Sequence, residues 1–91
     1  MLYVIHCFDK QGHLQVRIDN RPAHVDYLKS FAEQLHAAGP TLDADENMNG
    51  SLVILDLASF SAAEKFVAND PYTKAGLFEN VIIQPWKKVL P

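Results

Sequence analysis

Residues 2–8 read Leu-Tyr-Val-Ile-His-Cys-Phe, and Asp9-Lys10-Gln11-Gly12 follows. Aromatic and β-branched residues ended by turn-forming ones mark a β-strand. Side chains alternate across a strand, so Tyr3, Ile5 and Cys7 share one face and Leu2, Val4, His6 and Phe8 the other. Ser51–Leu57 has the same character, with Val53, Leu55 and Leu57 opposing Leu52 and Ile54. Both strands are apolar on both faces, which calls for a sheet covered on both sides.

Outward from these strands, a helix is expected over at least Pro22 to Ala38, stopped at Gly39-Pro40. A start near Leu14 stays open, because Pro22 fits only a first turn or a kink. Thr41 to Gly50 reads as a loop with a short strand at its start, and Asn49-Gly50 as a turn. Ser61-Ala62-Ala63-Glu64 fits a capping box, opening a helix that ends around Asn69, before Pro71. A last strand covers about Asn80 to Val89, where Pro85 implies an edge position or a bulge.

The order β-α-(β)-β-α-β is that of a ferredoxin-like α+β unit with an antiparallel sheet. Right-handed crossovers put both helices on one face, which leaves the other apolar face bare. A second copy stacked sheet on sheet covers it economically, so a homodimer is expected. The alternative is a monomer whose Thr41–Asn49 loop folds under the sheet.

Composition narrows the functional classes. Ninety-one residues, 48% hydrophobic and 21% charged, suit a single globular domain spanning residues 1–91. The net charge of −3 offers no general attraction for nucleic acid or anionic lipid. No apolar run approaches the roughly 20 residues of a membrane-spanning helix. Cys7 stands alone, so no internal disulfide forms, and Met1–Phe8 is too short and lacks a basic leader. A cytoplasmic protein is expected.

His6, His13, His24 and His36 lie 7, 11 and 12 positions apart, which is no metal-ligand spacing, so no metal is expected. No glycine loop suited to phosphate appears, and the reading calls for no cofactor. Ser59 and Ser61 lack a nucleophile elbow, and Trp86-Lys87-Lys88 is too small for a nucleic-acid platform.

His24 stands out by its placement. At about 100° per residue it falls among Leu28, Phe31 and Leu35, on the buried stripe. Near a helix N-terminus its neutral form would be favoured, suited to accepting a proton; a hydrogen-bonded core histidine is the alternative. Asp70-Pro71 suits an N-cap and first helical residue closing at Gly76, and the carboxylate could also orient a histidine. The two meet only if the first helix begins near Leu14; otherwise Asp9 is the nearer carboxylate. Arg21 would hold an anionic substrate, or else lie on the surface. Gly39 and Pro40 could line a pocket with bare backbone, and His6 could border the same cavity or an interface.

Together Met1–Ile5, Arg21-Pro22-Ala23-His24, Ala38-Gly39-Pro40, Asp70-Pro71-Tyr72, Gly76 and Pro85–Val89 resemble YciI-like (YCII-related) proteins over essentially the whole chain. The resemblance implies a ferredoxin-like fold paired as a dimeric α+β barrel, with a site centred on a histidine and an aspartate, here His24 and Asp70. It also points to relatives that eliminate chloride from a substituted hydroxyquinone, and to isomerases and small monooxygenases in the wider barrel group. His6 departs from an expected tyrosine, and the Asp43–Gly50 loop is shorter than in close relatives. The expectation is a small cofactor-independent enzyme. In it His24 moves a proton on a small anionic or aromatic substrate, Asp70 orients it and Arg21 holds the charge, for elimination or isomerisation. A metabolite-binding module without turnover is the alternative, and a cofactor-free oxygenase a third.

Overall fold

A computed structural model of the chain describes all residues from Met1 to Pro91. Strand β1 (Leu2–Asp9) leads into helix α1 (Leu14–Lys29), then the hairpin of β2 (Leu35–Leu42) and β3 (Met48–Asp56). Helix α2 (Phe60–Asn69), the one-turn helix α3 (Pro71–Lys74) and strand β4 (Phe78–Trp86) complete the chain. The strands lie in the order β2-β3-β1-β4, and every neighbouring pair is antiparallel. This is the ferredoxin-like βαββαβ sheet. No helix is long and apolar enough to cross a membrane.

The core forms where the inward rows of β1 and β3 meet the helices. Tyr3, Ile5 and Cys7 join Val53, Leu55 and Leu57 against Leu28 of α1 and Ala63 and Phe66 of α2. The opposite face carries Leu2, Val4, His6 and Phe8, beside Leu52, Ile54, Ile82 and Trp86. No helix covers it: Leu52 is 40% and Ile82 42% exposed. Asp43 to Asn47 turns the β2–β3 hairpin at its end, with Asp43 Oδ1 accepting from the Asp45 and Asn47 amides, so no loop folds under the sheet.

Several boundaries differ from the expected ones, each for a local reason. Helix α1 starts at Leu14 and ends at Lys29, with Pro22 inside it. Its chain turns away at Ala32, which adopts φ +50°, a left-handed conformation that alanine rarely supplies. The glycine signal at Gly39 therefore marks no helix end. Gly39-Pro40 lies within β2, an edge strand, where the missing proline N–H does least harm. Phe31 and Leu35 are accordingly off the helix that carries His24, which is mid-helix rather than at an N-terminus.

Asn49-Gly50 is no turn either but part of β3. A Cβ on Gly50 would run into the Cys7 carbonyl oxygen and the Thr41 hydroxyl, so close approach of three strands demands glycine there. Ser59, not Ser61, caps α2 by accepting from the Ala62 amide at 3.1 Å. Pro85 does sit on an edge strand, β4.

Candidate active site

Asp70 closes α2 and caps α3, where its Oδ1 accepts from the Tyr72 amide at 2.9 Å and Pro71 takes the first helical position. The same oxygen accepts from His24 Nδ1 at 2.9 Å. Starting α1 at Leu14 is what brings the histidine this far along the helix. His24 is 7% and Asp70 3% exposed, so the pair is nearly dry. A carboxylate held on Nδ1 fixes that nitrogen as the donor and leaves the Nε2 lone pair free to accept a proton. The protein offers Nε2 no hydrogen-bond partner. The imidazole lies flat on the Tyr72 ring, centroids 3.9 Å apart and planes 16° from parallel.

On Tyr72 rests a second charged group. The Arg17 guanidinium sits 4.6 Å from the ring centroid. Its Nε and Nη2 donate to the two Asp9 oxygens at 2.7 and 2.8 Å, and Nη2 also donates to Ser51 Oγ at 2.9 Å. Burial pushes the Tyr72 hydroxyl up from its usual range, opposed by the Arg17 and Arg21 charges. Asp9 is thereby committed to Arg17 and does not reach His24.

His24, Tyr72, Arg17 and Ser51 line a cavity of about 120 Å³, with Asp9 and Asp70 behind them. That is the scale of a single six-membered ring, for which about 150 Å³ suffices. Arg17, Arg21, His24 and Tyr72 border it, and Ala38, Gly39 and Pro40 of β2 flank it. Arg21 is exposed and has no carboxylate partner, which gives the cavity a net positive rim. His6 is elsewhere: it stands on the bare sheet face, its ring tilted 34° to that of Phe8 with centroids 4.1 Å apart, and does not reach this cavity from its own chain. A wider groove of about 530 Å³ runs between the β1–α1 turn and the hairpin. Its lone buried charge, Asp9, is already paired with Arg17. No three His, Cys, Asp or Glu side chains converge as a potential metal ligand set.

Residues 1–87 match the YCII-related domain. The chain belongs to the YCII-related family. It is 39% identical over 97 residues to the protein YciI of Escherichia coli O6:H1, covering 98% of this chain and 99% of that one. Among solved structures it is similar to 5-chloro-2-hydroxyhydroquinone dehydrochlorinase (TftG) from Burkholderia phenoliruptrix AC1100, in complex with 2,5-dihydroxybenzoquinone. The two share 44% identity and a TM-score of 0.91, over 96% of this chain and 94% of that one. PA3566 of Pseudomonas aeruginosa, at 14% identity, TM-score 0.58 and coverage of 98% and 93%, shares the fold alone.

Arg17 and Ser51 of this YCII-related chain escape a reading of the sequence that starts the helix at Pro22. With α1 begun at Leu14, Arg17, Arg21, His24 and Leu28 fall four, three and four positions apart, one continuous stripe. That spacing was the available signal. Ser51 carried none, since a serine opening a strand is unremarkable until a guanidinium lands on it.

Behind the site, burial pushes the Cys7 thiol from an ordinary value of 9.0 up to about 12, and the Asp70 carboxylate acts in the same direction. The folded chain therefore keeps this proton to higher pH than the unfolded one. The stabilisation is full below about 9 and is lost as pH rises through about 12. Tyr27, whose hydroxyl donates to the Phe66 carbonyl, is pushed up to about 12 chiefly by burial and adds the same sign. Native protein should resist thiol reagents near about pH 8 that label the urea-unfolded chain rapidly. Urea midpoints should fall toward alkaline pH, and less steeply in Cys7→Ala.

Proposed function

We propose that this chain is a small acid–base enzyme of the dehydrochlorinase kind, acting on a chlorinated, hydroxylated six-membered ring. The observation that carries the reading is a nearly dry His24–Asp70 pair whose free Nε2 belongs to a ring-sized, positively rimmed cavity. Similarity to TftG at 44% identity supplies the substrate class.

The chemistry needs proton transfers that one base can perform. With 5-chloro-2-hydroxyhydroquinone, Nε2 takes a hydroxyl proton and delivers a proton to the ring carbon that bears chlorine. Hydrogen and chlorine then share one saturated carbon. Loss of a proton from a hydroxyl conjugated with that carbon expels chloride with the C–Cl electron pair. One proton and one chloride leave, and the ring ends as a hydroxybenzoquinone. The ring is oxidised as the carbon–chlorine bond is reduced, so the step balances without an outside oxidant. Asp70 stabilises the imidazolium formed in passing, and Arg21 offsets the negative charge on the ring oxygens.

Anaerobic incubation with 5-chloro-2-hydroxyhydroquinone, read by a chloride electrode and the quinone absorbance, tests this. Chloride and quinone should appear in equal amounts. Quinone bound with no chloride released would leave a binding module instead.

The same reading includes a homodimer, with the bare sheet faces of two copies stacked on each other. Leu52, Ile82 and Trp86 are too large and too exposed to face water without cost on a sheet of this size. Sedimentation should give a dimer for the wild type. The Leu52→Asp, Ile82→Asp double variant should sediment as a folded monomer, since charge on the face opposes stacking without touching the core.

A further inference from the structure

Ser51 is 2% exposed and borders the cavity on β3, in an inward row otherwise built from Val53 and Leu55. Its oxygen accepts from Arg17 Nη2, and no group of the protein takes its own proton. Arg17 is equally buried, at 2% exposure, and its guanidinium is held by Asp9 and Ser51 and bonds to the Tyr72 hydroxyl as well. The Ser51 hydroxyl proton is therefore the unused donor on the wall of the cavity, beside a guanidinium that is already fixed in place. A hydroxyl whose lone pair is drawn to a guanidinium also donates more strongly.

We propose that the Ser51 hydroxyl, oriented and polarised by Arg17, forms an oxyanion subsite that receives an ionised ring oxygen of the substrate. The inference rests on the acid–base reading of His24 and adds where the negative oxygen of a hydroxyquinone is held. Asp9 already neutralises Arg17, so the subsite carries a directed donor rather than net charge. It selects an oxygen placed to accept hydrogen bonds and does not attract anions in general. Arg21, exposed and unpaired, supplies the unspecific attraction. Ser51 is thus a specificity-determining residue, and Arg17 orients its hydroxyl.

Two probes separate these roles. One is 2,5-dihydroxybenzoquinone, which ionises as a vinylogous acid. The other is 1,4-dihydroxybenzene, whose phenols stay neutral near pH 7, as phenols with a pKa of about 10 do. Calorimetric titration should show Ser51→Ala weakening the quinone by about tenfold and the neutral phenol by about twofold or less. Ser51→Thr, which keeps the hydroxyl, should retain most of the quinone affinity. Should Ser51→Ala fail to fold, the guanidinium N–H signals of wild-type Arg17 in NMR provide the second reading, and they should shift when the quinone binds.

Unchanged quinone affinity in Ser51→Ala, equal losses for both probes, or unmoved Arg17 signals would overturn the subsite. Quinone binding with no chloride release from the chlorinated substrate would sink the catalytic reading and leave the subsite standing. No quinone binding by the wild type would remove the substrate class, and the subsite with it.

Discussion

His24→Gln is expected to release chloride from 5-chloro-2-hydroxyhydroquinone about 10²–10⁴-fold more slowly than the wild type, the range typical of a lost general base. Glutamine nearly fills the space and can donate to Asp70, so the buried carboxylate keeps a partner and the fold should survive. What glutamine lacks is a basic nitrogen toward the cavity. The quinone should still bind, because Arg17, Arg21 and Ser51 are untouched. A folded His24→Gln protein with wild-type turnover would sink the proposed role.

Asp70→Asn sharpens the same test. Asparagine caps a helix as well as aspartate does, so α3 should persist. The oxygen that caps α3 is also the one that takes Nδ1, so asparagine keeps both contacts but brings no negative charge to stabilise the imidazolium formed in passing. A clear loss of activity, smaller than that of His24→Gln, at nearly unchanged stability, is the expected outcome. A change in stability with unchanged turnover would mean that the aspartate serves capping alone.

Arg17→Ala should be the most damaging single substitution for folding. Arg17 and Asp9 are 2% and 6% exposed at their side chains and are joined by two hydrogen bonds. Removing one partner strands a charge in a place with little access to water, which costs about 3–5 kcal/mol. Tyr72 also loses the cation on its ring, and Ser51 the donor on its oxygen. Urea denaturation followed by circular dichroism measures the loss. The double variant Arg17→Leu, Asp9→Leu should regain most of it, since apolar replacement of a whole buried pair is often neutral. Activity should not return with it, because the guanidinium that orients the Ser51 hydroxyl is gone. A loss below about 1 kcal/mol in Arg17→Ala would place this pair with surface ion pairs, against its burial.

Much of the fold is legible in short stretches of the chain. The two-sided apolar alternation of Leu2–Phe8 and Ser51–Leu57 announces a sheet with one face under helices and one bare, because strand geometry sends successive side chains to opposite sides. Asp70-Pro71 announces a cap, and Pro85 an edge, for equally local reasons. His24 and Asp70 draw notice as polar residues in positions where apolar or merely capping ones would serve. What misleads is the punctuation around α1. Ala32 makes the left-handed turn that glycine normally signals, and Gly39-Pro40, a strong stop in isolation, is absorbed by an edge strand.

The residue pattern by itself thus determined the order of the strands and long helices and which side chains share a face of each strand. It also marked His24 and Asp70 as candidates beside their core and capping roles. Only the tertiary structure decided that they meet. His24 and Asp70 are forty-six positions apart, and whether α1 begins at Leu14 or at Pro22 moves the histidine by two turns of helix. The Asp9–Arg17–Ser51 chain and its contact with Tyr72 likewise join four elements that no local rule connects. The physical reason is one of range. Caps, turns and alternation act over a few residues, whereas pairing a buried charge is a demand met wherever the fold brings a partner within hydrogen-bond reach.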